Sequence, residues 1–248
     1  MLRYIARLLA VAVQGLLLPA AFAQGLEGLV VEEYHRWQHN GEQLVTYRIY
    51  ADLAKDHTLQ MVYGSLGHAL RIETTTTFFN DTVNGAAYAH RIPAEAAKRF
   101  PTALDSWLTI DAVTNAQRGV PLAADEDGSL LRDKAFRKSL LKQTDGAIPG
   151  PVRDVVNFKL EPGYLDRIPG SIILCTDCAW SVLGGTTGPT EANVVLLAQI
   201  TTSGTLSYEF NLQVGKPGGT FIRYVAAKPE GDEVEFPALR RLPERLVR

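Results

Sequence analysis

Both cysteines of the chain fall in one short stretch, "ILCTDCAWSVLGG", as a C-x-x-C pair, Cys175 and Cys178. Three chemistries use that spacing. A thiol redox centre needs its first sulfur at a helix N-terminus, where backbone N–H groups lower the thiol pKa. Here "SIIL" can form the leading strand, but "AWSVLGGTTGP" is a poor helix, with glycines and β-branched residues. A zinc site needs two further ligands, and no second C-x-x-C or H-x-x-x-H lies nearby. In an exported protein the bland reading is a local disulfide that shapes a turn, with a pair of free thiols as the further alternative. A loop this short adds little chain entropy, so the expected staple shapes more than it stabilises.

Other constellations are weaker. "HRWQH" sets His35 and His39 four apart, the spacing of a helical zinc pair, but Arg36 stands where H-E-x-x-H has its glutamate. On a strand the two histidines still share a face. "ADEDGSLL" offers Asp125, Glu126 and Asp127 as oxygen ligands for calcium, although the EF-hand register fails, with Ala123 first and Lys134 last. The alternative is a solvated acidic turn in which Asp127 or Ser129 caps a helix. Asn80 and Asp81 in "FFND" are a similar cation candidate. Ser65 and His68 in "YGSLGH" lack the G-x-S-x-G elbow. Trp107, in "LDSWLTID", shares a strand face with Asp105, Thr109 and Asp111, as a sugar-stacking platform flanked by carboxylates would. The competing reading covers Trp107 with a loop or with the 93–100 segment.

These residues must be positioned by a chain with the marks of export. Arg3 and Arg7 precede an eleven-residue apolar run, Leu8 to Leu18, followed by Ala21-Phe22-Ala23. That is the pattern of a secretory signal peptide over residues 1–23, cleaved before Gln24. The run is too short for a membrane anchor, which needs about 20 residues, so no transmembrane anchor is expected after cleavage. Removing residues 1–23 takes two arginines and no acids from 25 basic and 27 acidic residues, leaving a net charge of about −4. With no basic run in its body, the chain is not expected to bind nucleic acid. The arginines of "LRRLPERLVR" read as a solvated tail over 240–248, or as an electrostatic contact with an anionic surface.

The dominant periodicity is two. In "VTYRIYADL" Tyr47, Ile49, Ala51 and Leu53 alternate with Arg48, Tyr50 and Asp52; after "AKDH", Leu59, Met61 and Tyr63 continue, as a hairpin would. "HALRIETTTTFF" and "FPTALDSWLTIDA" alternate as well. A second hairpin pattern, "NVVLLAQITTSGTLSYEFNLQVG", aligns with the first at an offset of 147 residues without a gap, as a structural duplication would. In this register Ile49, Leu59, Leu196 and Leu206 face cores, while Arg48, Gln60, Val195 and Ser207 lie on opposite faces. Between the two patterns, "PAEAAKRF" predicts a short helix between Pro93 and Pro101, and "SLLRDKAFRKSLLKQTDG" a longer one. The Pro/Gly-rich stretch 148–170 reads as connector. The expected organisation is mostly β: two β-sandwich-like lobes, 24–114 and 171–239, with a helical or irregular insertion over 115–170.

The ordered succession "GLEGLVVEEY", "VTYRIYADL", "LQMVYG", "TTTTFFND", "LDSWLTI", "WSVLGGTTGP", "VVLLAQITTSGTLSYEFNLQVG" and "YVAAKPEGDEVEFPAL" resembles a family of exported bacterial β-rich proteins without an assigned function. The resemblance spans most of residues 25–112 and 170–239 and does not include the CTDC cysteines. It implies an extracellular β-rich protein and transfers no catalytic residue. Many relatives look as though they end in a surface-sorting domain, whereas this chain stops soon after "EFPAL". The expectation is a periplasmic or extracellular, non-enzymatic interaction or surface-structural protein whose partner is a protein or a glycan, with no cofactor assigned beyond calcium. The alternatives are a carbohydrate-binding module, assisted by calcium or not, and a hydrolase whose cluster assembles only in the fold.

Overall fold

The computed structural model describes residues 25–126 and 144–242. Strands dominate, so the mostly β expectation holds. The first half contributes β1 (Leu26–His39), β2 (Glu42–Leu53), β3 (Thr58–Gly64), β4 (Leu70–Thr74) and β5 (Trp107–Leu108). Short β6 (Gln117–Gly119), β7 (Ala147–Pro149) and β8 (Val156–Phe158) follow in the insertion. The last part adds β9 (Ile172–Cys175), β10 (Cys178–Thr186), β11 (Val194–Thr202) and β12 (Leu206–Glu209). It ends with β13 (Leu212–Gly215), β14 (Phe221–Val225), β15 (Val234–Glu235) and β16 (Arg240–Arg241).

Three sheets enclose one sandwich-like core. The first runs β1-β2-β11-β5, the second β15-β14-β13-β3-β10-β8 and the third β16-β12-β4-β9. Ile49 and Val195 from the first, Leu59, Trp180 and Leu212 from the second, and Ile72, Ile173 and Leu206 from the third all belong to the same buried cluster. The indole N–H of Trp180 finds an acceptor there, the Thr109 carbonyl at 2.9 Å, as a buried tryptophan requires.

This topology corrects the two-lobe expectation. Neither alternating pattern is a hairpin: β2 and β3 belong to different sheets, and so do β11 and β12. The "AKDH" turn is a corner, held by the Asn193 amide donating to the Ala54 and His57 carbonyls at 2.8 and 3.0 Å. The two aligned segments pair with each other instead, with Ala51 opposite Val195, Tyr50 opposite Leu196 and Ile49 opposite Ala198. Leu197 is the extra residue of a bulge, and a bulge reverses strand phase. Val195 therefore joins Leu197, Ala198 and Ile200 in the main core, while Leu196 turns to the other face beside Tyr50 and Trp107.

The expectation that Arg48, Val195 and Ser207 face outward is likewise overturned, because all three are buried. Arg48 is 1% exposed. Its side of the first sheet is roofed by residues 103–125 and 144–147. The guanidinium donates to Gln199 Oε1 at 2.9 Å and to the Gly146 carbonyl at 2.8 Å, and lies 3.7 Å from the centre of the Tyr34 ring. Gln199 passes the network on, donating to the carbonyls of Ala103 and Asp105. A buried cation is tolerated only with such a set of acceptors.

In the insertion, the helix expected after Pro93 is a single turn, Ala94–Ala97. The longer helix expected over 129–146 falls almost wholly outside the described residues. Stretch 148–170 is irregular apart from β7, β8 and a 3-10 turn at Gly163–Leu165. Among the described residues no helix is long and apolar enough to cross a membrane.

Candidate functional site

Cys175 and Cys178 are joined in a disulfide. It closes the corner where the chain leaves β9 in the third sheet for β10 in the second. Leu70 pairs with Cys175 and Gly64 with Cys178, so a parallel corner between β3 and β4 lies against the staple. Any side chain at Gly64 would strike the Cys175 carbonyl. The turn-shaping reading of the pair is what the structure contains.

The Trp107 platform is corrected. Trp107 is 2% exposed and packs with Ala89, Ile92 and Ala97, under the 89–97 segment. Its neighbouring carboxylates are also interior. Asp105 accepts the backbone N–H groups of Asp81 and Ala86 at 2.7 and 3.2 Å. Burial pushes its carboxyl well above the usual range, against those N–H groups, which favour the anion. Asp81 accepts from Val83 N at 3.1 Å, Asn84 N at 3.3 Å and the Thr102 hydroxyl. The pair pins the 81–86 loop rather than presenting oxygens to a ligand. Asp111, with φ at 78°, lies in the left-handed region and pairs with Arg118. Burial raises its carboxyl to about 6, opposed by the Arg118 charge.

Asp125 is buried, and its Oδ2 accepts the N–H groups of Asp145 and Gly146, closing the roof over Arg48. Asp127 lies outside the described residues. His35 and His39 sit half-buried on β1, and His39 lies 5.2 Å from Phe79, ring to ring. Ser65 and His68 close one tight turn through their own backbone, and His68 Nε2 lies 2.9 Å from a Glu233 carboxylate oxygen. Among the described residues no group of three or more His, Cys, Asp or Glu is placed to hold a metal ion.

Of the sequence candidates, Asn80 and His39 lie in the wall of one cleft. The Asn80 amide donates to the Tyr164 carbonyl at 2.6 Å, whereas Asn80 Oδ1 is buried without a partner among the described residues. The cleft has a volume of about 380 Å³ and opens between the Asn40-Gly41 turn, the 77–82 stretch, Ser203 and the 167–169 segment. One wall is aromatic. Phe79 and His39 line it, and Trp37 stands behind, edge-on to Phe79 at 5.0 Å and to Phe100 at 4.9 Å. A second cleft of about 290 Å³ lies between Ala86–Arg91 and residues 157–166, the stretch just before the 167–169 segment. Tyr88 lines it, 3% exposed, with a buried hydroxyl that has no partner among the described residues. Together the clefts combine apolar ring surface with a few polar groups, the usual make-up of a small-ligand site.

Sequence reasoning missed Phe79, Tyr88 and the 162–169 segment. The signal was there in "EPGYLDRIPG", where an aromatic residue stands in an irregular stretch bounded by glycines, a setting that favours function over packing. No protein-family model, curated protein or solved structure matches this chain.

Proposed function

We propose that this is an exported, non-enzymatic binding protein that takes its ligand in the cleft walled by Phe79 and Asn80. Export rests on the leader pattern of residues 1–23. The observation that carries the binding reading is the Asn80 side chain. Other buried polar groups nearby, Asp81, Asp105 and Gln199, are spent on the protein's own hydrogen bonds, while Asn80 Oδ1 keeps an unfilled acceptor in a cleft wall. An unfilled buried acceptor costs about 1–3 kcal/mol, a cost that a ligand donor would relieve.

The test is array binding of the secreted protein to glycans and peptides, repeated with Ser203→Trp. Ser203 is an exposed lining residue, so the tryptophan fills the cleft without disturbing the core. Loss of binding at an unchanged melting temperature supports the reading. Binding that survives the blocked cleft refutes it.

A further inference from the structure

The two clefts draw on one segment, with Pro162, Gly163 and Asp166 lining the second and Arg167, Ile168 and Pro169 the first, and Tyr164 between them in sequence. This segment is anchored firmly. Leu165 is fully buried in the main core, and the N–H groups of residues 165–168 all bond back to the Pro162 and Gly163 carbonyls at 2.8–3.1 Å. Asn80 holds it from the first cleft through the Tyr164 carbonyl. The Tyr164 side chain remains 41% exposed, and its ring rests against Gly170 so closely that a Cβ at that position would collide with it. The exposed aromatic ring is therefore backed by main chain and held still, so a ligand stacking on it would lose little of its gain to ordering the side chain.

We infer that the ligand is a neutral oligosaccharide chain that stacks on Tyr164 and extends into both clefts. This rests on the binding reading above. Sugar hydroxyls both donate and accept, which suits the unfilled acceptor Asn80 Oδ1 on one side and the unpartnered Tyr88 hydroxyl on the other. The charges around the clefts are mixed: Arg91 and Arg167 stand among Glu42, Glu161 and Asp166, which favours a neutral chain over a polyanion. An extended peptide is recognised chiefly through free backbone groups of a strand edge, and the N–H groups of residues 165–168 are bonded within the segment.

Calorimetric titration of the secreted protein with cellohexaose, mannohexaose and chitohexaose, and with the matching disaccharides, tests this. One hexasaccharide should bind at least tenfold tighter than its disaccharide. Tyr164→Ala should weaken that hexasaccharide at least tenfold with the melting temperature unchanged, and Tyr164→Phe should retain it. Tyr88→Phe, which removes only an unpartnered hydroxyl, should weaken the hexasaccharide severalfold and leave the disaccharide unaffected. Equal affinity for short and long chains, or indifference to Tyr164→Ala, overturns the inference. Should the arrays instead return a peptide or a polyanion whose binding Ser203→Trp abolishes, the saccharide assignment fails while the binding reading stands.

Discussion

Asp111 is held buried in a left-handed backbone conformation with its carboxyl raised to about 6, first by burial and against the Arg118 charge. A raised folded pKa means that the unfolded chain binds fewer protons between the ordinary aspartate value and about 6. The stability tied to the protonated form is complete below pH 3.8 and is lost as pH rises to about 6. Chemical denaturation of wild type and Asp111→Asn across pH 4–7 should therefore show the variant gaining on wild type as pH rises, by an amount on the order of 2 kcal/mol. A constant difference would show that Asp111 does not titrate in that window. Trp107 carries a different expectation: as a core residue, Trp107→Ala should cost about 3–5 kcal/mol in denaturant unfolding. A mild loss of stability together with lost ligand binding would return it to the surface.

At the scale of elements, the first sheet is the unusual one, because β2 and β11 are covered on both faces. Ile49 faces the main core and Leu196 the smaller cluster around Trp107, and both are fully buried. A sheet with one solvated face would make truncation costly on one side only. Here Ile49→Ala and Leu196→Ala should each cost about 2–5 kcal/mol, although they point in opposite directions. Thermal unfolding of both variants checks this, and a mild Leu196→Ala would mean that the roof over the second face is loose. The alternation along β2 is plain to read; the roof is not, because it comes from residues 103–125 and 144–147, remote in sequence, and its hydrogen-bond acceptors are mostly backbone carbonyls. Arg48 looks like a solvent residue only until those carbonyls are placed around it.

For the whole molecule, the interleaving of strands decides how it folds. Beyond the β1–β2 pair, the early strands take their neighbours from the last part of the chain: β2 pairs with β11, β3 with β10 and β13, and β4 with β9 and β12. A fragment of residues 24–114 would therefore expose unpaired strand edges and half a core. We expect it to stay unfolded by circular dichroism and amide exchange, while the full chain unfolds in one cooperative transition. Two separate transitions, or a folded fragment, would restore a lobe at each end.

What the sequence determined by itself is local: the period-two texture that makes the chain mostly β, the cysteine spacing compatible with a corner staple, and the proline stops around the 94–97 turn. Each depends on residues within a few positions of one another, where backbone propensity and side-chain alternation act directly. Only the tertiary structure decided which strands pair, which face of β2 is roofed, and that Trp107 is interior while Tyr164 is exposed. Those outcomes rest on contacts between different segments of the chain, from the 89–97 segment over Trp107 to Arg48 with Gln199, 151 positions away, and on the Leu197 bulge, where one extra residue exchanges the two faces of a strand. The alternation of a strand records that its two faces differ, but whether water or another part of the chain meets the second face depends on where the rest of the chain packs.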